Sequence, residues 1–203
     1  MSASVGRAIK AWLAGWSGGA VNGLALVAEH PEQVRTFVAH EPPTAQVLPD
    51  RDVALAACED IHQTYQHSGM GPAMAKFIAL VGRKGLLPQT YADEPAPNPA
   101  DFGLPTDDDG SRDDVLVGQN MRACTSYHPD FDALAAAPTR IVIAAGQESE
   151  GEMAARAAAA IADRLGTELT VFPSHHAGFL GGEFGQHGKP EEFAAVLRQV
   201  LSR

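Results

Sequence analysis

The pentapeptide Gly15-Trp16-Ser17-Gly18-Gly19 separates two runs of different hydrophobic period, and this constrains the fold more than any other feature of the chain. Before it, residues 8–14 (Ala-Ile-Lys-Ala-Trp-Leu-Ala) form a short apolar run that reads as a strand. After it, Ala20, Val21, Leu24, Ala25, Val27 and Ala28 recur at helical spacing until His30-Pro31, where proline disfavours helix in the residue before it. The expected local structure is strand, sharp turn, helix. In such a turn a side chain at either flanking glycine is expected to collide with the adjoining strand or helix. Residues 34–39 (Val-Arg-Thr-Phe-Val-Ala) then read as a second strand, closed by His40-Glu41-Pro42-Pro43. Strand, helix and strand with short links make a parallel βαβ unit.

With 203 residues, one core with one insertion is the natural expectation. Residues 44–133 form that insertion: amphipathic helical segments at residues 53–67 and 72–81, then an acidic, proline-containing loop over residues 92–114. The core comprises residues 1–43 and 134–203. Its βα rhythm resumes with a strand at residues 140–145 and a helix at 150–165 ended by Gly166. A strand at 168–172 and a helix at 190–201 follow. The fold class is α/β, with about four parallel strands flanked by helices and a mainly helical insert.

Charge excludes some functions. The net charge of −10 opposes docking on phosphate backbones or anionic lipid, so neither nucleic acid nor a membrane is an expected partner. Arg7 and Lys10 do precede a largely apolar stretch, residues 11–28, but Gly15, Ser17, Gly18, Gly19, Asn22 and Gly23 interrupt it. A signal peptide or anchor is therefore not expected. Cys58 and Cys124 are too few and too far apart for a disulfide framework or zinc ribbon, which fits a cytoplasmic protein. Both read as small buried apolar residues.

Ser17, at the top of a strand and the start of a helix, has the setting of a nucleophile, and the Gly18 N–H that of an oxyanion donor. A serine nucleophile needs a base, and the base needs an acid to orient it. Glu148 follows the third strand through Gly146-Gln147, at the strand end where catalytic groups gather in open α/β sheets, and is the first choice for the acid. Glu150 is expected in the first turn of the next helix, where a carboxylate suits the helix dipole. Glu41 ends the second strand and is the alternative acid. His176, in the Phe172-Pro173-Ser174-His175-His176-Ala177-Gly178-Phe179 loop after the last strand, is the expected base, in preference to His175. His175, His176, Glu183 and His187 lack a helical metal-ligand spacing, so no metal site is expected. Tyr65, Tyr91, Met70 and Met74 read as packing residues of the insert, and His62 and His67 as helix-surface residues.

Together, Gly15-Trp16-Ser17-Gly18-Gly19 with its helix, His40-Glu41-Pro42-Pro43, Gly146-Gln147-Glu148 and the His175-His176 loop resemble the α/β-hydrolase superfamily, in particular its small bacterial serine hydrolases with a helical cap. The resemblance runs from about residue 8 to the C-terminus. It implies Ser17 as nucleophile, Glu148 as acid and His176 as base, with the insert as a cap over the site and no cofactor. It also implies strands and helices ahead of Gly15, where only 14 residues stand here. The chain thus corresponds to the C-terminal two-thirds of such a fold, with four strands where eight are usual. The second oxyanion donor of the family comes from the part without a counterpart.

The expected activity is ester or related acyl hydrolysis of a small-molecule substrate. The alternative is a truncated, non-catalytic hydrolase-like domain that binds a small ligand or a protein partner. The strand before Ser17 is expected to form an apolar edge, which invites a homodimer or a partner chain.

Overall fold

The structure, a computed structural model, describes residues 11–203. Four parallel strands, β1 (Ala11–Trp16), β2 (Val34–His40), β3 (Arg140–Gly146) and β4 (Thr170–Phe172), lie side by side in the order β1-β2-β3-β4. The part of the first expected strand that precedes Ala11 lies outside the described residues. The strand runs on through Gly15 to Trp16, because Gly15 and Trp16 still pair with Ala39 and His40 of β2.

Alternation along the strands sorts side chains between two faces. Phe37 and Ala39 of β2 and Ile143 and Ala145 of β3 pack against Leu24 of α1 (Gly18–Glu29). Leu134 and Ile161, from helices named below, complete that cluster. On the opposite face Val38, Ala144 and Phe172 pack against Phe193 and Val200 of the C-terminal helix Pro190–Leu201. Gly23 lets α1 approach the sheet closely, since a Cβ there would sit 2.2 Å from the Phe37 ring. Such interdigitated contacts, at about 2 kcal/mol for each large apolar side chain buried, hold the layers together.

Between β2 and β3 the chain forms α2 (Arg51–Ser68), α3 (Met70–Val81), a π-helical turn Leu116–Asn120 running into α4 (Met121–Thr125), and α5 (Phe131–Ala136). The acidic stretch is irregular apart from short 3₁₀ turns at Tyr91–Asp93 and Pro99–Phe102. Ile61, Tyr65, Leu80, Val117 and Met121 gather into a buried cluster above the sheet, which Met153 and Ala157 of α6 (Met153–Leu165) join. Tyr65 is fully buried there, and its hydroxyl accepts the Asp114 N–H at 2.9 Å. Met70, Met74 and Tyr91 pack around the same cluster. His67 is exposed, while His62 is partly buried with Nδ1 3.1 Å from the Val117 carbonyl oxygen.

The Asp50 carboxylate ties this layer to the core. It receives both terminal nitrogens of Arg156 on α6, at 2.8 and 3.0 Å, and the Leu87 N–H at 2.8 Å. The last helix, Pro190–Leu201, is α7. Glu150 stands ahead of α6 rather than in its first turn, because a 3₁₀ turn, Gln147–Ser149, and Gly151 at φ 87° delay the helix until Met153. Gly166 ends α6 in the left-handed conformation, at φ 64°. At the sheet border β1 leaves Trp12 58% exposed, with the Arg35 guanidinium 5.6 Å from the ring centre. Among the described residues no helix is long and apolar enough to cross a membrane.

Candidate active site

Among the described residues three non-glycine residues have positive φ, and each follows a strand: Ser17 after β1 at 51°, Glu41 after β2 at 48° and Ser174 after β4 at 71°. Backbone strain of this kind costs on the order of 1 kcal/mol or more per residue, and persists where surrounding packing imposes it. All three lie at the C-terminal edge of the parallel sheet, where open α/β sheets carry their sites.

Ser17 occupies the N-cap position of α1, yet its side chain makes no capping hydrogen bond. Its backbone N–H donates to the His40 carbonyl at 3.0 Å, fixing the turn to β2, and its carbonyl accepts from Ala20 and Val21. Gly18 and Gly19 follow in the first helical turn, where N–H groups have no intrahelical acceptor and the helix dipole favours negative charge. The glycines are not equivalent. A Cβ on Gly15 would lie 2.5 Å from the Gly19 carbonyl oxygen, whereas one on Gly19 would meet nothing within 4 Å. The expected collision at both flanks therefore holds for Gly15 alone.

His176 is paired with Glu41. Its Nδ1 lies 2.5 Å from Glu41 Oε2, and the other carboxylate oxygen accepts the Gly146 N–H at 2.7 Å. An ionised carboxylate only accepts hydrogen bonds, so the pairing places the imidazole proton on Nδ1 and leaves Nε2 as the free acceptor. Glu41 is fully buried. Burial works to raise its pKa, but the hydrogen bond and charge of His176, the Gly146 N–H and the field of His40 outweigh it and hold the carboxyl below its ordinary value.

Glu148, the first choice for the acid, is not the partner of His176. Its carboxylate is half exposed and receives Lys189 Nζ at 3.2 Å, while its carbonyl accepts Lys84 Nζ at 3.1 Å. In the 3₁₀ turn after β3 the Glu148 N–H donates to the Ser174 carbonyl at 2.9 Å, while its carboxylate turns outward to Lys189. Glu41, one residue past β2, still donates its N–H to Ala144 of β3 and stays in the sheet edge. The loop after β4 supplies the rest of the explanation, since it closes directly over Gly146. A Cβ there would lie 2.7 Å from the Ser174 carbonyl oxygen and 2.9 Å from the His175 carbonyl carbon. That close approach carries His176 across β3 to the end of β2. A carboxylate directly after an expected strand, ahead of two prolines, was the available sequence signal for Glu41.

Ser17, Gly18 and His176 line one cavity of about 750 Å³. No hydrogen bond joins Ser17 to His176 among the described residues; contacts of this kind often tighten only around a substrate. The walls come from α3 (Phe77, Ile78, Leu80), α4 (Met121, Cys124) and α6 (Met153). Tyr65, Tyr91, Met70 and Met74 are not among its lining residues. Cys58 and Cys124 are buried free thiols on this wall, and burial pushes Cys58 up to about 11, well away from thiolate chemistry. His175 also lines the cavity, but its nitrogens are engaged in the loop, with Nε2 3.3 Å from the His187 carbonyl oxygen and Nδ1 accepting the Ala177 N–H. No group of three or more metal-ligating side chains occurs among the described residues.

A parallel sheet with a strained serine between β1 and α1, a carboxylate–histidine pair on the same edge and a helical layer above them is a partial α/β-hydrolase fold. Known proteins agree with that assignment. The chain is 29% identical over 175 residues to a Bacillus subtilis (strain 168) protein named as the uncharacterized hydrolase YraK, covering 83% of this chain and 58% of that one. A crystal structure described among carboxylesterases of the thaumarchaeon Nitrososphaera gargenis superposes with a TM-score of 0.57 at 18% identity, covering 95% of this chain and 65% of the other. MGS-M2, an α/β-hydrolase enzyme from a Medee basin deep-sea metagenome library, superposes with a TM-score of 0.54 at 17% identity, with coverages of 98% and 66%. The chain thus spans less than two thirds of the length of each. No protein-family profile matches it.

Proposed function

We propose that the chain is a serine hydrolase that cleaves esters or related acyl bonds through Ser17, His176 and Glu41. The observation that carries this reading is the 2.5 Å contact of His176 Nδ1 with the buried Glu41 carboxylate, on the cavity that Ser17 lines. Chain order supports it as well: serine, acid, histidine is the order of the nucleophile-elbow hydrolases. The name of the Bacillus subtilis relative and the carboxylesterase structure point the same way.

In this reaction Ser17 Oγ attacks the acyl carbon and gives its proton to His176 Nε2. The oxygen that becomes negative is stabilised by the Gly18 N–H at the start of α1. Collapse breaks the ester bond, and His176 returns the proton to the departing alcohol. Water then attacks the acyl-serine with His176 again as base, releasing the carboxylic acid and restoring Ser17. Glu41 holds the imidazole tautomer and stabilises the imidazolium.

A fluorophosphonate probe tests the reading. Labelling of the purified protein that disappears in Ser17→Ala is the expected result. A folded protein that takes no label, or labels equally in Ser17→Ala, overturns it in favour of a non-catalytic domain with this fold.

A further inference from the structure

The cavity that holds Ser17 and His176 carries a carboxyl group that the proposed reaction does not use. Glu152, the residue just ahead of α6, lines it. The same wall is mostly hydrophobic, with Phe77, Leu80 and Val81 of α3, Met121 of α4 and Met153 of α6, and its other polar side chains include the amides of Asn22, Asn120 and Gln186. Among the described residues no Lys or Arg lines the cavity, and no ion pair engages Glu152. Lys84 is its neighbour in an isolated antiparallel bridge, but its ammonium donates to the Glu148 carbonyl and does not line the cavity. Burial raises the Glu152 carboxyl pKa and the charge of Glu41 adds to the effect, while Lys84, His176 and His175 oppose it.

We infer that Glu152 is a specificity-determining residue, and that the cavity takes substrates whose enclosed group is apolar and ends in an uncharged or cationic function, rejecting those that end in a carboxylate. The inference rests on the hydrolase reading of Ser17 and His176. Its physical basis is a balance of desolvation against pairing. A carboxylate entering this cavity leaves water, meets no Lys or Arg on the wall and approaches the Glu152 carboxyl. An ammonium in the same place meets Glu152, and a neutral chain end meets an apolar wall that suits it. The volume, about 750 Å³, falls within the usual range for small-molecule sites. The net charge of −10 adds a field of the same sign.

Three probes built on the same six-carbon chain separate the cases: hexanamide, 6-aminohexanamide and the monoamide of adipic acid, each titrated by ligand-detected NMR against the full chain and against Glu152→Gln. The amine is expected to bind at least about fivefold more tightly than the carboxylate, as one modest charge–charge interaction provides, and Glu152→Gln is expected to bring the two within about twofold. Added salt should narrow the gap in the unaltered protein but leave the variant nearly unchanged. Equal binding of the two charged probes, the same preference in both proteins, or no binding of any probe overturns the inference. Fluorophosphonate labelling is scored separately. A protein that shows this binding order but takes no label keeps the role of Glu152 and loses the hydrolase reading.

Discussion

His176 Nδ1 and Glu41 Oε2 stand 2.5 Å apart although 135 positions separate them in the chain. Glu148, 28 positions before His176 and likewise just past the end of a strand, makes its ion pair with Lys189 instead. This division of roles between two carboxylates sets up a direct comparison. Glu41→Gln keeps the shape but removes the charge that fixes the imidazole tautomer, and is expected to lower kcat by roughly 10²- to 10⁴-fold. Glu148→Gln removes an exposed ion pair and should leave kcat within about threefold. Hydrolysis of p-nitrophenyl butyrate by the two variants checks both values; equal losses would mean that the pairing with Glu41 does not operate during turnover.

The turn at Ser17 makes a second contrast. In Gly15→Ala the new methyl meets the Gly19 carbonyl oxygen at 2.5 Å, backbone that cannot move without shifting α1. A loss of about 1–3 kcal/mol is expected. Gly19→Ala meets open space inside a helix, and should be neutral or stabilising by up to about 1 kcal/mol. Urea denaturation curves of the two variants test the order.

His40 predicts how stability responds to acid. The ring is 1% exposed and set edge-on to Phe172 and Phe193 with His176 farther off, and among the described residues neither of its nitrogens has a hydrogen-bond partner. Burial is the main reason that its pKa falls from 6.5 to about 4; the Glu41 charge opposes the shift and His176 adds to it. Between those values the unfolded chain binds more protons on this ring than the folded one, so stability is complete above pH 6.5 and declines as pH falls towards about 4. The full decline from this group is about 3 kcal/mol. Glu41, whose pKa is also lowered, adds a loss that sets in only below its ordinary value of 4.5. Denaturation at about pH 7 and about pH 5 should show this slope in the unaltered protein and a shallower one in His40→Leu. An unchanged slope in the variant would assign the acid sensitivity to other groups.

The Asp50–Arg156 pair joins the layer above the site to α6, with the Asp50 side chain 5% and the Arg156 side chain 16% exposed. Asp50→Ala leaves a guanidinium and the Leu87 N–H without their acceptor, and should cost about 3 kcal/mol. Because Met153 of α6 lines the cavity, activity is expected to fall as well. Thermal unfolding of Asp50→Ala beside Asp50→Asn measures the cost.

We also propose that β1 mediates association, either with a second copy or with a partner chain. It borders the described sheet with Trp12 58% exposed, and Leu13 and Ala14 only partly covered. Sedimentation should show a species heavier than 21.3 kDa that weakens in Trp12→Lys. A monodisperse monomer would exclude self-association.

Much of this protein is determined by short-range pattern. The switch from an apolar run to helical spacing at Gly15, and its return at residues 140–172, give the parallel strands and their flanking helices, because hydrophobic period reflects which face of each element is buried. Ser17 and His176 are legible for the same reason: each follows a strand, and all strands of a parallel sheet end at one edge. What the pattern does not determine is which carboxylate meets the histidine. Glu41 and Glu148 both follow strands, and their spacing does not distinguish them. The choice is made by a backbone approach over Gly146 and by a 3₁₀ turn from which the Glu148 carboxylate turns outward to Lys189. The approach depends on contacts between segments far apart in sequence. The lining of the cavity has the same origin: Cys124 faces Gly18, and Glu152 shares a cavity with Phe77 and Met121, only because helices from the insert pack across the sheet edge. Local sequence fixes what each element is, whereas the distances between elements, and therefore the chemistry they share, come from their packing.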